Sequence, residues 1–566
     1  MTRQPLVFCL AGAAAVIVGV SAQTAPAFDV VIANGRVVDG TGAPWFRADV
    51  GITGDRITGI GDLHAASAKT RVDATNLVVS PGFIDMLGQS EFNVLVDTRA
   101  ASKILQGVTT EITGEGSSIG PINDRLIAED WAAQAAHYKV IVDWRTLGDY
   151  FTRLERRTPP AINIGSFVGA GGLRAYVMGK DDKPATATDL AEMKRLVAQA
   201  MEQGALGLSS SLQYVPDRFA TTDELVELAK VAASYGGIYI THQRSESGKI
   251  FESMDEVFAI AERAKIPAEI FHLKTAYKAN WGKMAEVLDR IRAARARGLD
   301  ITANQYPYVR ASNGLDACLP LWVRDGGKDK MIARLKDPAD RERAKKDMDD
   351  PNSPGWENQW YGSGGGDGVL LTSVLAAELK KYEGHTLTDI GKTMGKDPRD
   401  AVMDLVIADR GESAVVISIM TESDVTLALK DPLVAVGTDS GARAEDGPLA
   451  DSKSHPRGWG SFPRILGKYV RDEHLLTLED AIRKMTSRPA ARLGLGDRGL
   501  LRAGMVADVT VFDPAAIRDV ATFDNPNHYS TGVEWVFVSG RAVVAKGAIT
   551  AERPGRPLRG PGFRGK

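Results

Sequence analysis

Ile238-Tyr-Ile-Thr-His-Gln-Arg244 and Glu269-Ile-Phe-His-Leu-Lys274 are apolar stretches that each surface on a histidine, His242 and His272, thirty residues apart. Much further on, Val434-Ala-Val-Gly-Thr-Asp-Ser440 repeats the form with a carboxylate, Asp439. An imidazole from each of two successive strands, then a carboxylate from a late one, is how a hydrolytic metal site is assembled at the mouth of a (β/α)8 barrel. A lone strand-end histidine is more often structural. Two on consecutive strands, each followed two residues later by a cation (Arg244 and Lys274), point to ligation instead.

A catalytic divalent ion needs about three protein ligands and an open position for water. Thr109-Thr-Glu-Ile-Thr-Gly-Glu-Gly116 sets Glu115 between two glycines, which let the backbone bring its carboxylate close to the centre. Glu115 is therefore the third expected ligand, with a supporting hydrogen bond to a histidine as its other reading. Asp439 is expected to act as general base toward water, with a helix cap as the plainer reading.

Outward from these segments, apolar runs ending near Leu87, Gly114, Val168, Ser209, His242, His272, Tyr306 and Asp439 alternate with helical patterns. This predicts an α/β chain with a (β/α)8 TIM barrel over residues 81–496. Short alternating strands at both ends of the chain predict a small β-sandwich built from residues 23–80 and 497–552. Between residues 325 and 415 the rhythm breaks, which predicts an inserted, lid-like subdomain. Residues 553–566, rich in Pro, Gly and Arg, read as a disordered tail.

Residues 1–22 combine Arg3, an apolar run from Leu6 to Val20 and a small-residue cleavage site ending at Ala22. They read as a signal peptide directing the chain to the periplasm or the exterior, with a short membrane anchor as the alternative. Cys9 lies within that segment, so Cys318 is the one thiol expected in the mature chain, and no internal disulfide can form. A net charge of −3 across 566 residues gives no reason to expect nucleic acid or an anionic membrane as partner. The expected partner is a small-molecule substrate.

Pro81-Gly-Phe-Ile-Asp85, Gly207-Leu-Ser-Ser210, Thr241-His-Gln-Arg244, Phe271-His-Leu-Lys274, Gln305-Tyr-Pro-Tyr308, Gly437-Thr-Asp-Ser440, His455-Pro-Arg457 with Gly460-Ser-Phe-Pro-Arg464, and Thr486-Ser-Arg-Pro489 form a specific set. Together they resemble the N-acyl-D-amino-acid deacylase (D-aminoacylase) branch of the amidohydrolases. The resemblance implies one divalent ion, usually zinc, and hydrolysis of an N-acyl amide to a carboxylate and a free amino acid. It implies His242 and His272 as ligands, Asp439 as the base, and Lys274, Tyr306, Ser312 and Arg457 around the substrate carboxylate. A dipeptidase or a hydrolase of cyclic amides or lactones would use the same site. A small-molecule binding protein is the alternative from another class.

This chain departs from that pattern at three points. Where amidohydrolases carry His-x-His after the first strand, Met86-Leu-Gly-Gln89 supplies Leu87 and Gln89. A leucine cannot bind a cation and a glutamine amide is a poor transition-metal ligand, so a second metal position is expected to be absent. Glu115 stands where D-aminoacylases commonly have cysteine, and Ala170 where they often have histidine.

Overall fold

Parallel strands position the site. Phe83–Asp85 pairs with Val108–Thr113, and that strand with Asn163–Ser166. One residue beyond, Val168–Gly169 pairs with Gly207–Ser211, and the series continues through Ile238–His242, Ala268–Ile270 and Ile301–Gln305 to Val434–Val436. A parallel bridge between Gly88 and Ser440 joins the first strand's end to the last's. Helices connect successive strands, so the fold is α/β with its strand ends gathered on one face. This computed structural model describes residues 1–2, 27–352, 356–451 and 453–565; the signal-peptide expectation falls almost wholly outside them. Among the described residues no helix is long and apolar enough to cross a membrane.

The strands are short and buried from end to end. Ile238–His242 and Gly207–Ser211 have no exposed residue; the first runs apolar to its terminal histidine, while the second buries three serines. Three of the connecting helices begin on threonine caps: the side chains of Thr146, Thr186 and Thr221 accept from the backbone three residues on. The Glu224 carboxylate, in position for a capping box, instead pairs with buried Arg174 at 2.7 Å.

Both ends of the chain contribute to one sheet, in which Val509–Phe512 pairs antiparallel with Val78–Pro81 and with Val533–Val538. Phe28–Val37 pairs with Phe46–Thr53 on one side and, in succession, with Ala68–Asp73 and Val78–Pro81 on the other. The sheet packs a separate apolar cluster around Ile32, Val50, Val79, Val509 and Phe537.

Two expectations change. The insertion starts before residue 325: Arg310–Gly314 pairs antiparallel with Ala414–Ser418, which pairs with Val369–Ser373. Arg-Ala-Ser-Asn-Gly carries too little apolar pattern to announce a strand, and its partners lie about a hundred residues away. The 553–566 tail is ordered through residue 565 rather than disordered. Its backbone donates to Pro160, Ile164 and Gly204 carbonyls from Gly555, Leu558 and Gly560 at 2.8–2.9 Å, and Leu558 is buried. Arg559 pairs with Glu155 at 2.8 Å and covers the Phe151 ring. Composition signalled disorder because these contacts are to distant backbone, which a local pattern does not encode.

Candidate metal centre

His242 is the last residue of its strand, and His272 follows Ala268–Ile270 by two residues, so both imidazoles project from adjacent strand ends. Their rings lie 4.4 Å apart between centroids and nearly perpendicular. Glu115 Oε1 is 3.1 Å from His242 Nδ1 and 3.1 Å from His272 Nε2. These three offer ligand atoms within 4.8 Å of one another. One carboxylate and two imidazoles form an N/O donor set suited to a borderline divalent cation, so the residues present fit a metal ion.

The surrounding carboxylates favour a positive charge at this point, a proton on His272 or a cation in its place. Against the burial that opposes its charge, hydrogen bonds to the two imidazoles hold the Glu115 carboxyl well below its ordinary range. Burial and Lys274 disfavour an imidazolium at His272, but Glu246, Asp439 and Glu115 prevail and raise it to about 9. His272 has φ +33° and Asp439 φ +50°, left-handed conformations uncommon for L residues.

Glu246, which sequence reasoning missed, stands behind the pair. Its Oε1 is 3.1 Å from His272 Nδ1 and 2.6 Å from Lys274 Nζ, and its Oε2 is 3.6 Å from His242 Nε2. A carboxylate beside the far nitrogen of a ligating histidine orients its ring, here that of His272, whose Nδ1 also meets Lys274 Nζ at 2.6 Å; His242 Nε2 is too far from Glu246 for a hydrogen bond. The one signal available was its place four residues after His242. Arg244 does not share the site: its guanidinium pairs with Glu256 at 2.8 Å and donates to the Arg218 and Ala220 carbonyls.

Asp439 sits opposite. Gln89 Nε2 donates to Asp439 Oδ1 at 3.0 Å and to Glu115 Oε2 at 3.1 Å, so one amide spans the two carboxylates. Arg457 Nη1 lies 2.7 Å from Asp439 Oδ2. Burial pushes the Asp439 carboxyl above its ordinary value, with Arg457 and His272 opposing and Glu115 reinforcing. Gln89 occupies a place where sequence reasoning found only the loss of a ligand.

A cavity of about 530 Å³ opens on Glu115, His242, His272 and Asp439. Among the residues expected around a substrate carboxylate, Lys274 and Ser312 line it. Arg457 and Tyr306 do not: the guanidinium covers the Tyr306 ring at 4.7 Å, and Arg457 faces a smaller adjoining cavity that Ser312 also lines. His455 sets Arg457, accepting its backbone N–H at Nδ1 (2.9 Å) and approaching the Arg310 carbonyl through Nε2 at 2.9 Å. The insertion adds Glu357 and Gln359 to the main cavity's wall. On another wall Pro121, Ile122, Leu126 and Trp131 make an apolar surface.

Comparison with known proteins places this geometry. The amidohydrolase family profile matches residues 424–544. The D-aminoacylase of Alcaligenes xylosoxydans xylosoxydans is 34% identical over 94% of this chain and 97% of its own. The N-acyl-D-glutamate deacylase of the same organism is 36% identical over 94% and 96%. A crystal structure of D-aminoacylase superposes with a TM-score of 0.78 at 33% identity, covering 94% of this chain and all of the other. The N-acyl-D-glutamate deacylase of Bordetella bronchiseptica, complexed with zinc and a phosphonate mimic of the tetrahedral intermediate, gives 0.78 at 31%, covering 94% and 99%. With identity at this level sustained almost end to end, the chain belongs to the N-acyl-D-amino-acid deacylase (D-aminoacylase) family of the amidohydrolases, enzymes acting on linear amides.

Proposed function

We propose that this protein is a metal-dependent deacylase that hydrolyses the amide of N-acyl-D-amino acids to a carboxylate and a free amino acid. The observation that carries the reading is the convergence of Glu115, His242 and His272 on one point, with Asp439 held across the same cavity.

In this reading Glu115, His242 and His272 hold a single divalent ion, zinc by preference for the donor set. Such an ion, when bound, would supply polarisation of the scissile carbonyl and a more acidic water. Asp439 accepts the proton of that water and passes it to the leaving nitrogen as the C–N bond breaks. Its carboxylate starts paired with Arg457. A substrate carboxylate arriving at Arg457 takes over the guanidinium and frees Asp439 for the proton, so binding and activation are linked. Lys274 and Glu246 hold the His272 ring from behind. Ser312 and Lys274 add donors toward the substrate, while Tyr306 supports Arg457 from below.

The parallel strands serve as one closed (β/α)8 ring over residues 81–496, and the sheet from the two chain ends as a flanking sandwich over 23–80 and 497–552. The insertion is a cover for the cavity, a role supported by Glu357 and Gln359 in its wall. Residues 1–22 act as a signal peptide, so the enzyme works in the periplasm or outside the cell.

Purified protein analysed for metal and assayed on N-acetyl-D- and N-acetyl-L-amino acids tests this. About one ion per chain and turnover confined to D substrates are expected. Metal-loaded protein that cleaves none of them overturns the reading.

A further inference from the structure

At the other end of the same strands lies a cavity of about 650 Å³, lined by Leu206, Ile238, Pro267, Thr302 and Leu433 at or beside the strand starts. It faces away from the reaction centre, since His242 closes the strand that Ile238 opens. Four guanidiniums line it: Arg295 from the helix Met284–Ala296, Arg483 from Leu478–Met485, and Arg488 and Arg492 from Ser487–Arg492. Glu269 and Asp300 are the carboxylates in the lining. Arg488 belongs to Thr486-Ser-Arg-Pro489, a segment that touches neither cavity at the reaction centre.

Three of the four are held and one is not. Arg295 Nη1 meets Asp300 Oδ1 at 2.7 Å and the Ile301 carbonyl at 2.9 Å. Arg492 pairs with Asp300 at 2.8 Å and Glu269 at 3.3 Å, and donates to the Ala268 carbonyl. Arg483 pairs at 2.7 Å with Asp480, which lies outside the lining. Among the described residues the half-buried Arg488 side chain has no ion pair or hydrogen bond. With Asp480 counted, four cations face three carboxylates. Behind the wall, buried Lys484 donates to the Asp431 and Val434 carbonyls, and the Asp431 carboxylate pairs with Arg292, so no spare negative charge comes from there. Burial, against Glu269 and together with Arg483, Arg295 and Arg492, holds the Arg488 guanidinium below its ordinary basicity. A half-buried cation kept among three others is a cost that an anion would remove.

We propose that this cavity is a binding site for a small phosphate-bearing anion, which Arg488 meets first and Arg483 and Arg492 complete. Guanidinium forks match phosphate oxygens in pairs, and donors arriving from separate helices suit a tetrahedral group better than a planar carboxylate. Thr41, between the first two strands of the terminal sheet, and Pro561, in the ordered end segment, share the wall, and Ser487 Oγ donates to the Gly40 carbonyl. The bound anion therefore ties both ends of the chain to the strands, and it raises stability without touching the reaction centre. Neither the ligand nor its site depends on the deacylase reading.

Calorimetry of the metal-loaded protein with inorganic phosphate, glycerol 3-phosphate and succinate, at fixed ionic strength in chloride and with Tm read alongside, tests this. At least one phosphate should bind about tenfold or more tighter than succinate, the scale of a charge-assisted hydrogen bond, and raise Tm as its concentration passes Kd. Whichever of the two binds tighter tells a free ion from an ester. In Arg488→Gln the phosphate affinity should fall about tenfold or more and the gain in Tm vanish at unchanged metal content, and Arg488→Lys should restore part of both. General stabilisation by phosphate salts acts on parent and variant alike, so their difference removes it. Without phosphate, Arg488→Gln should melt no lower than the parent, because its side chain has no partner to lose; a lower Tm would give Arg488 a structural role instead and overturns the proposal. Phosphate held at the metal centre would bind parent and Arg488→Gln equally, and that result overturns it, as does a parent that prefers succinate or binds none of the three.

Discussion

The two walls of the reaction centre hold their carboxylates by opposite means. On one, Glu115 lies between two imidazoles, its Oε1 3.1 Å from a nitrogen of each. On the other, Leu87 and Gln89 stand after the first strand, and donors of the protein itself meet the carboxylates. The Gln89 amide donates to Asp439 and Glu115 together. Below it, fully buried Lys103 is 2.8 Å from Asp85, 3.3 Å from Glu111 and 2.7 Å from Thr438 Oγ1. Glu111 in turn accepts from Ser90 N and Oγ, both at 2.8 Å. Gly88 makes room for this, since a Cβ there would lie 2.1 Å from the Glu111 carboxylate. Fixed donors can satisfy the carboxylates on one wall of a site while those on the other stay available to a cation.

The contrast predicts which substitutions act through metal and which do not. His272→Ala or His242→Ala should empty the centre and cut turnover by more than about a thousandfold, the several kcal/mol a catalytic ion supplies. Metal analysis and kcat should fall together, and turnover surviving without metal would break the comparison. Lys103→Met leaves Asp85 and Glu111 without their cation and should lower stability by about 3–5 kcal/mol, read from denaturant unfolding. Asp439→Asn should retain the ion yet lose roughly a hundredfold to a thousandfold in kcat, separating proton transfer from ligation. Glu246→Gln should weaken metal affinity by about 10- to 100-fold, measured by competition with a chelator. Smallest, Gln89→Ala removes one neutral donor shared by two carboxylates and should cost about tenfold in kcat/KM at unchanged metal content. A change in metal count in that variant would move Gln89 to the other wall.

Much of this was legible in the chain. Histidines at strand ends are visible because a buried parallel strand is a continuous apolar run with one polar residue where it surfaces, and the run lies wholly within a few residues of sequence. His242, His272 and Asp439 could be found that way, and Glu115 from its flanking glycines. Glu246 could not, because a carboxylate in a loop carries no periodicity, and only the fold turns it toward the imidazoles. Arg244 misled for the same reason, since spacing from a histidine does not say which way a side chain leaves the strand end. Arg457 was readable as a cation near the site, but not as the partner of Asp439.

By itself, then, the sequence determined the alternation of strand and helix, the residues able to bind a cation and the absence of a first-strand histidine pair, because these are matters of local pattern and residue chemistry. The tertiary structure alone decided that Gln89 spans two carboxylates, that Glu246 backs His272, and that residues 553–565 lie ordered against Pro160, Ile164 and Gly204. Each of those depends on side chains or backbone groups brought together from far apart in the chain, and their energies come from desolvation and direction, which no single segment carries.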